Sequence, residues 1–347
     1  MDREEKKMHK IGFPGIGIDG FEVKSTAFEL FGRPVAWYGI IIALGMVVAI
    51  TYIMWRTTQY KGITPDDIID FALFVIIFGV IGARLYYVLF ELDRYDSFAD
   101  IIAIWNGGLA IYGGIIFGAI TAIVICLIKK IHIPCFFDML APAVMIAQSI
   151  GRWGNFFNAE AYGSATDSIF RMSITEISSL GIEGSTIYVH PTFFYESMWN
   201  LVGFILLTVL YNKRKFDGQI VLGYIAWYGL GRAFIEGLRA DSLYIGDTGI
   251  RVSQLIAIIS CVAAVAVMAY LWFYKKAGRY ESASYKPVEE TETSEQVEEE
   301  IVSVRERIAQ LRKNLFGKKN QDKTEQSEEQ TENNSEDEEN IEDGNDN

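Results

Sequence analysis

An all-α, polytopic membrane protein with about seven transmembrane helices is the fold class that this sequence predicts. Three observations carry it. Apolar runs near bilayer-spanning length recur through the first 275 residues. Most of them lack the polar face that a helix of a soluble bundle shows. Basic clusters mark alternate ends of the runs. A small folded feature on the outer surface and a disordered acidic C-terminal tail complete the expected architecture.

The runs are roughly 37–55, 67–90, 102–128, 134–157, 193–211, 219–237 and 251–274. The first, third and seventh are the cleanest, whereas Arg152 and Arg232 interrupt the fourth and sixth. Arg56 and Lys61 follow the first run. Lys129 and Lys130 follow the third, Lys213, Arg214 and Lys215 the fifth, and Lys275, Lys276 and Arg279 the seventh. Basic residues stay on the cytoplasmic side, so the odd spans end inside and the N-terminus starts outside. Glu91, Asp93, Asp96 and Asp100 in the opposite loop fit that orientation. Trp37, Tyr38, Trp55, Trp105, Trp153, Trp272 and Tyr274 mark span ends as an interfacial belt. Gly79, Gly82, Gly107, Gly108, Gly113, Gly114 and Gly118 permit close helix approach or broken helices.

The outer segments are 1–36 and the longest loop, 158–192, whose Gly, Ser, Ile, Tyr and Val content predicts the small folded feature. Residues 37–275 are expected to form the seven-span membrane domain, and 276–347 a cytoplasmic tail. The whole chain carries a net charge of −13. Residues 281–347 alone hold 21 acidic and 8 basic side chains, which leaves 23 of each sign before them. The low isoelectric point therefore belongs to the tail, and nothing in the body points to a nucleic-acid partner. Within the tail, Ile301, Val304, Ile308, Leu311 and Leu315 step by three and four, as in a short amphipathic helix over 301–315. The Glu/Ser/Asn/Gln-rich flanks predict disorder.

Cys126, Cys135 and Cys261 have no paired spacing, so they read as small buried hydrophobes rather than a disulfide or zinc framework. His9, His132 and His190 form no metal-ligand pattern, and no metal or cofactor is expected. No cleavable signal peptide is expected in the first 36 residues.

Charges inside apolar spans need a protein partner or a function, because each costs about 2.5–3.5 kcal/mol at mid-bilayer on insertion scales. Arg84 lies deep in the second run and reads as a buried arginine paired with a carboxylate from another span. Gly107-Gly108 and Gly113-Gly114 bracket Tyr112, where close packing and anion-binding backbone are both open readings. The fourth run ends Gly151-Arg152-Trp153-Gly154-Asn155-Phe156-Phe157-Asn158-Ala159-Glu160, with Gly163 close behind. Arg152 and Asn155 share a helix face, and a planar guanidinium suits a phosphate. Glu196, one turn after His190-Pro191, is a partner for an arginine. Tyr228, Arg232, Glu236 and Arg239 fall on one helical face. Three of these stretches lie near the outer leaflet, which points to a phosphate-bearing lipid headgroup.

The pattern Gly151-Arg152-…-Gly154-Asn155-Phe156-…-Asn158-…-Glu160-…-Gly163 resembles the signature of bacterial prolipoprotein diacylglyceryl transferases. Tyr38-Gly39, Gly82-…-Arg84, the double Gly-Gly segment, His190-Pro191-…-Tyr195-Glu196 and Tyr228-Gly229-…-Arg232-…-Glu236-…-Arg239 are similar to that family in the same order. The resemblance covers roughly residues 30–275. It implies an enzyme of the bacterial plasma membrane, with its active site toward the outer leaflet and no cofactor. Such enzymes move the diacylglyceryl group of phosphatidylglycerol to the lipobox cysteine of a prolipoprotein, forming a thioether and releasing glycerol 1-phosphate. The resemblance implies that Arg152 and Arg232 bind the phosphate. Asn155, Tyr38, Gly163 and Tyr228 would contact substrate, and Glu160, Glu236 and Arg239 would hold the arginines or guide the peptide. Some members carry a histidine where this chain has Tyr112. A phenol near pKa 10 is a weak base at neutral pH, so Tyr112 positions the substrate, or Glu236 or the arginines' field activates the thiol. The rival classes are an anion or lipid transporter and a scaffold acting through the acidic tail.

Overall fold

A computed structural model describes residues 8–58, 63–95, 97–104, 107–178, 182–240, 242, 244–245 and 248–273. Lys61, Asp96, Trp105, Asn106, Tyr274 and the whole acidic tail, with its amphipathic segment 301–315, lie outside them. Six helices among the described residues are long and apolar enough to cross a membrane. They are α1 (Trp37–Thr57), α2 (Pro65–Phe90), α4 (Ile111–Ile128), α5 (Ile133–Asn158), α6 (Thr192–Tyr211) and α8 (Val252–Phe273). α3 (Phe98–Ile102) is a short turn of helix. The sixth predicted run forms the shorter α7 (Gln219–Ile235), extended by a 3-10 turn over Glu236–Leu238. Leu44, Val47, Leu73, Ile116, Val209 and Val262 point outward from these helices. An apolar exterior of this extent is stable in hydrocarbon rather than water. The chain is thus a multi-pass membrane protein.

The third run is shorter as a helix than its apolar length predicted. Gly107 (φ +84°) and Gly108 (φ +76°) adopt the left-handed region and break the chain ahead of α4. Beyond the break, α4 packs closely on α2. A Cβ on Gly82 would lie 2.2 Å from Phe117, and one on Gly113 would lie 2.3 Å from the Gly82 carbonyl. Lys129 at the far end of α4 pairs with Asp67 and, at 2.8 Å, with Asp70 at the start of α2. α5 is the central helix and packs against α1, α6 and α7. Cys126, Cys135, Met139 and Met145 are buried along this core.

α6 and α7 are locked by two indoles. Trp199 and Trp227 stack at 4.5 Å, and each Nε1 donates to the other's backbone carbonyl at 3.0 Å. The rings fit only because they lie over glycines. A Cβ on Gly231 would meet Trp199 at 2.3 Å, and one on Gly203 would meet Trp227 at 2.5 Å. Gly231→Ala is therefore expected to push the helices apart and destabilise the protein by about 1–3 kcal/mol, the usual range for overpacking. Thermal unfolding in detergent checks this, and an unchanged midpoint would show that the pair is not a lock.

The expectation of an all-α chain needs correction. A four-stranded antiparallel sheet has the order β2-β1-β5-β6, from β1 (Met8–Phe13), β2 (Ile18–Lys24), β5 (Met172–Ile177) and β6 (Glu183–Val189). β3 (Thr26–Leu30) and β4 (Arg33–Ala36) form a separate hairpin that leads into α1. Alternate residues are buried along parts of β1 and β5, the two central strands of the four, as a half-buried sheet requires. Ile11, Val23, Met172, Ile174 and Val189 pack on Phe156 of α5 and Phe193 of α6. The sheet thus covers the C-terminal end of α5 and the N-terminal end of α6, where the polar residues gather.

Candidate active site

Arg152 and Asn155 project from the last turns of α5. Arg152 Nη1 donates to Asn155 Oδ1 at 3.4 Å. Asn155 Nδ2 donates to Glu160 Oε1 at 2.9 Å, and Asn158 Nδ2 donates to the same oxygen at 3.4 Å. Glu160 reaches back because Ala159 (φ +49°) and Ala161 (φ +55°) take left-handed conformations that non-glycine residues seldom adopt. The bend is held from outside. Thr192 Oγ1 donates to the Ala161 carbonyl at 2.6 Å, Gly163 N to His190 O at 2.9 Å, and Ser164 N to Leu238 O at 2.6 Å. Gly163 is buried beneath His190 and Leu238, whose atoms lie 2.6 and 2.9 Å from where its Cβ would be. Its contribution is this close approach of three segments.

Glu196, one turn into α6, is the hub, with only 3 % of its surface exposed. Its Oε1 lies 3.1 Å from Arg232 Nη1 and 3.6 Å from Arg239 Nη1. Its Oε2 lies 2.6 Å from Arg152 Nη2, a charge contact outside hydrogen-bond alignment. Arg232 also pairs with Glu236 through Nη2. Glu236 accepts from Ser242 Oγ at 2.9 Å, and Arg251 donates to its backbone carbonyl. Three guanidinium groups therefore share two buried carboxylates. The side chains of Arg152, Arg232 and Arg239 are 22, 17 and 13 % exposed, against 4 % for Glu196 and 3 % for Glu236. The carboxylates sit behind and the cations face outward, as an anion site requires.

Other predicted residues fall differently. Arg239 reaches Glu196 from an extended backbone (ψ 142°), so it does not continue the helical face of Tyr228, Arg232 and Glu236. α7 ends at Ile235, and the 3-10 turn redirects the chain. The Tyr38 ring lies against Gly154, beside the Arg152–Asn155 turn, where a Cβ would be 2.7 Å from Cδ2. Tyr228 stacks on Tyr224 at 5.8 Å within the helical core, one turn before Arg232. Tyr112, half exposed in the first turn of α4, makes no hydrogen bond among the described residues, and none joins it to the cluster.

Among the described residues, Arg84 pairs with no carboxylate. Its guanidinium donates to four backbone carbonyls, those of Asp100 (2.7 Å), Ile101 (2.7 Å), Gly107 (2.6 Å) and Gly108 (3.0 Å). The glycine break exposes the carbonyls of Gly107 and Gly108, those of Asp100 and Ile101 lie at the end of α3, and the arginine binds all four. Ser242 and Arg251 escaped the sequence reading; for Arg251 the signal was a cation at the mouth of an apolar run.

The model of the family described as prolipoprotein diacylglyceryl transferase matches residues 25–270. The chain belongs to this family. A relative from Streptococcus equi subsp. zooepidemicus is 45 % identical over 246 residues, covering 70 % of this chain and 93 % of the relative. One from Clostridium perfringens is 45 % identical over 245 residues, with 70 and 92 % covered. A third, from Enterococcus faecalis, is 45 % identical over 254 residues, with 71 and 90 % covered. The first and third are named phosphatidylglycerol--prolipoprotein diacylglyceryl transferase, and the second carries the same name with the number 1. The diacylglyceryl transferase match runs from β3 into the last turn of α8, takes in the arginine cluster and stops before the acidic tail.

Proposed function

We propose that this chain performs the reaction its relatives are named for: it transfers the diacylglyceryl group of phosphatidylglycerol to a prolipoprotein. The observation that carries the reading is the cluster of Arg152, Arg232 and Arg239 over Glu196 and Glu236, inside the segment that defines the family. The acceptor is the lipobox cysteine. Its sulfur forms a bond to the terminal glycerol carbon of the diacylglyceryl group. The bond from that carbon to the phosphate oxygen breaks, and its electron pair leaves on glycerol 1-phosphate. The thiol proton passes to solvent or to the departing phosphate.

Negative charge builds on the phosphate as that bond breaks, and Arg152 and Arg232 stabilise it. Asn155 and Tyr38, on the adjoining turn and beside it, orient the headgroup. Glu236 is occupied by Arg232 and Ser242, so its role is to hold Arg232 in place. Glu160 holds Asn155 in the same way. The arginines' positive field lowers the thiol pKa from its ordinary value near 8.5. Tyr112 then contributes its ring, and its hydroxyl takes no proton. Tyr112→Phe is expected to keep the rate within a few-fold, whereas a large loss in an initial-rate assay would return the hydroxyl to the mechanism.

The basic residues at odd span ends support seven crossings, with α7 as the sixth and the N-terminus outside the plasma membrane. The cluster sits at the end of α5 opposite Lys129 and Lys130, hence toward the outer leaflet, where lipid and secreted cysteine meet. The sheet then stands on the outer surface. The deciding experiment incubates the purified chain with phosphatidylglycerol and a lipobox peptide. The peptide is expected to gain the mass of one diacylglyceryl group; a folded protein that produces no such gain would overturn the reading.

A further inference from the structure

We propose that Glu196 is a tethered stand-in for the lipid phosphate. It neutralises the arginines before a headgroup binds and gives them up, in part, as the phosphate arrives. The proposal rests on the phosphate-clamp reading above and extends it to a residue that touches no reacting atom.

Geometry singles this residue out. Its carboxylate contacts all three arginines, with Oε1 serving Arg232 and Arg239 and Oε2 serving Arg152. These cations come from α5, from α7 and from the chain beyond the 3-10 turn, and Glu196 joins them from α6. A carboxylate and a phosphate monoanion offer a guanidinium the same face, two oxygens sharing one negative charge. Glu196 approaches from the buried side, so a phosphate from the open side meets the same cations without displacing the helix. The Arg152 contact is close but lacks hydrogen-bond alignment, so it is held by charge rather than by a directed bond. Three unneutralised cations this close at a membrane edge would repel one another and carry a large desolvation cost.

The arrangement sets affinity as well as stability. A bound phosphate shares its arginines with Glu196 and is repelled by it. Glycerol 1-phosphate carries more charge than the diester it came from, so the repulsion grows after bond cleavage and speeds product release. Glu196 is therefore a positioning residue that trades headgroup affinity for turnover. A residue that merely braced the helices would, when altered, weaken binding and turnover together.

The test is Glu196→Gln, which keeps the shape and removes the charge. Glycerol 1-phosphate is the probe, read as a competitive inhibitor of peptide lipidation and by calorimetry on the protein in detergent. Glu196→Gln is expected to bind the probe about tenfold tighter, the usual scale for removing one charge at this range. Both KM for phosphatidylglycerol and kcat are expected to fall. Unchanged or weaker probe binding by the folded variant would overturn the proposal. If Glu196→Gln alone does not fold, the comparison moves to an Arg239→Gln background, where one lost charge of each sign offsets the other. Tighter binding by the double variant than by Arg239→Gln supports the role, and equal binding refutes it. Arg232→Ala separates the two readings. If it binds the probe as well as wild type does, the phosphate clamp itself fails. If probe binding needs Arg232 but ignores the charge at 196, only the stand-in role falls.

Discussion

Arg232→Ala is expected to lower kcat/KM for phosphatidylglycerol by about a hundredfold or more, as removal of one preorganised oxyanion donor does elsewhere. Arg152→Ala should cost a similar factor. Arg232 is placed to do this work because both its terminal nitrogens are already fixed, one on Glu196 at 3.1 Å and the other on Glu236. A guanidinium held at two points loses little freedom when a phosphate arrives, so its electrostatic stabilisation is available when the leaving group departs. The same fixation creates a second consequence. Alanine at 232 strips Glu236 of its arginine and Glu196 of one of three, and a buried carboxylate that loses its partner costs about 3–5 kcal/mol. The two effects separate on Arg232→Lys. Lysine restores a charge but lacks the planar fork that meets a phosphate bidentately. Most stability should therefore return, while activity stays well below wild type. Initial rates measured beside thermal unfolding check both parts. A folded Arg232→Ala variant with wild-type rates would remove the arginine from the chemistry.

Which parts of this site were legible in the sequence follows from what kind of signal each residue leaves. A charge within an apolar run is improbable without a reason, so Arg152, Arg232 and Glu196 stood out by position alone. Asn155 was visible through its spacing from Arg152, because positions three apart on a helix share a face, and Glu160 through the density of polar side chains at the end of the span. Arg239 lay on the predicted stripe but reaches Glu196 by another route, since helical spacing does not survive the 3-10 turn at Glu236–Leu238. Arg84 was visible as a buried charge, yet its partners were invisible. Backbone carbonyls freed by a glycine break carry no mark in a sequence. The sheet was half legible. β-branched runs in the long loop pointed to a folded feature there. Pairing of β1 with β5 joins residues 8–13 to residues 172–177, a separation that local pattern does not encode. The basic residues after the first and fifth runs also hold more than a topology signal. Arg56 is buried between α1 and α6, where it donates to Tyr52, Thr208 and Asn212.

Asp138 is where a loss of stability as large as that at Arg232 is expected, although it drew no notice as one acidic residue in the first turns of an apolar helix. It is fully buried, and its two oxygens accept from the backbone N–H groups of Gly218 (2.8 Å), Ile220 (2.9 Å) and Val221 (2.9 Å). Those are the unsatisfied amides at the start of α7, so a side chain of α5 caps a different helix. Gly218 itself is left-handed, and Arg214 Nε lies 3.5 Å from the carboxylate. Asp138→Ala would strand three buried donors and remove an anion beside a buried guanidinium, at a cost of about 3–5 kcal/mol. At an unfolding entropy of about 2.1 cal/mol/K per residue, that corresponds to a fall of roughly 4–9 °C in the unfolding midpoint. Asp138→Asn keeps one acceptor oxygen and should lose less. Neither change reaches the headgroup directly. Val221 and Arg232 are separated along α7 by about 16 Å at helical rise, so any effect on lipidation must pass through the position and tilt of that helix. Well below its lowered midpoint, Asp138→Ala should therefore keep wild-type affinity for glycerol 1-phosphate if α7 stays seated. A variant that unfolds at the wild-type temperature would show that the cap contributes little. A variant of normal stability with abolished probe binding would place Asp138 in the chemistry rather than in the scaffold that aims Arg232.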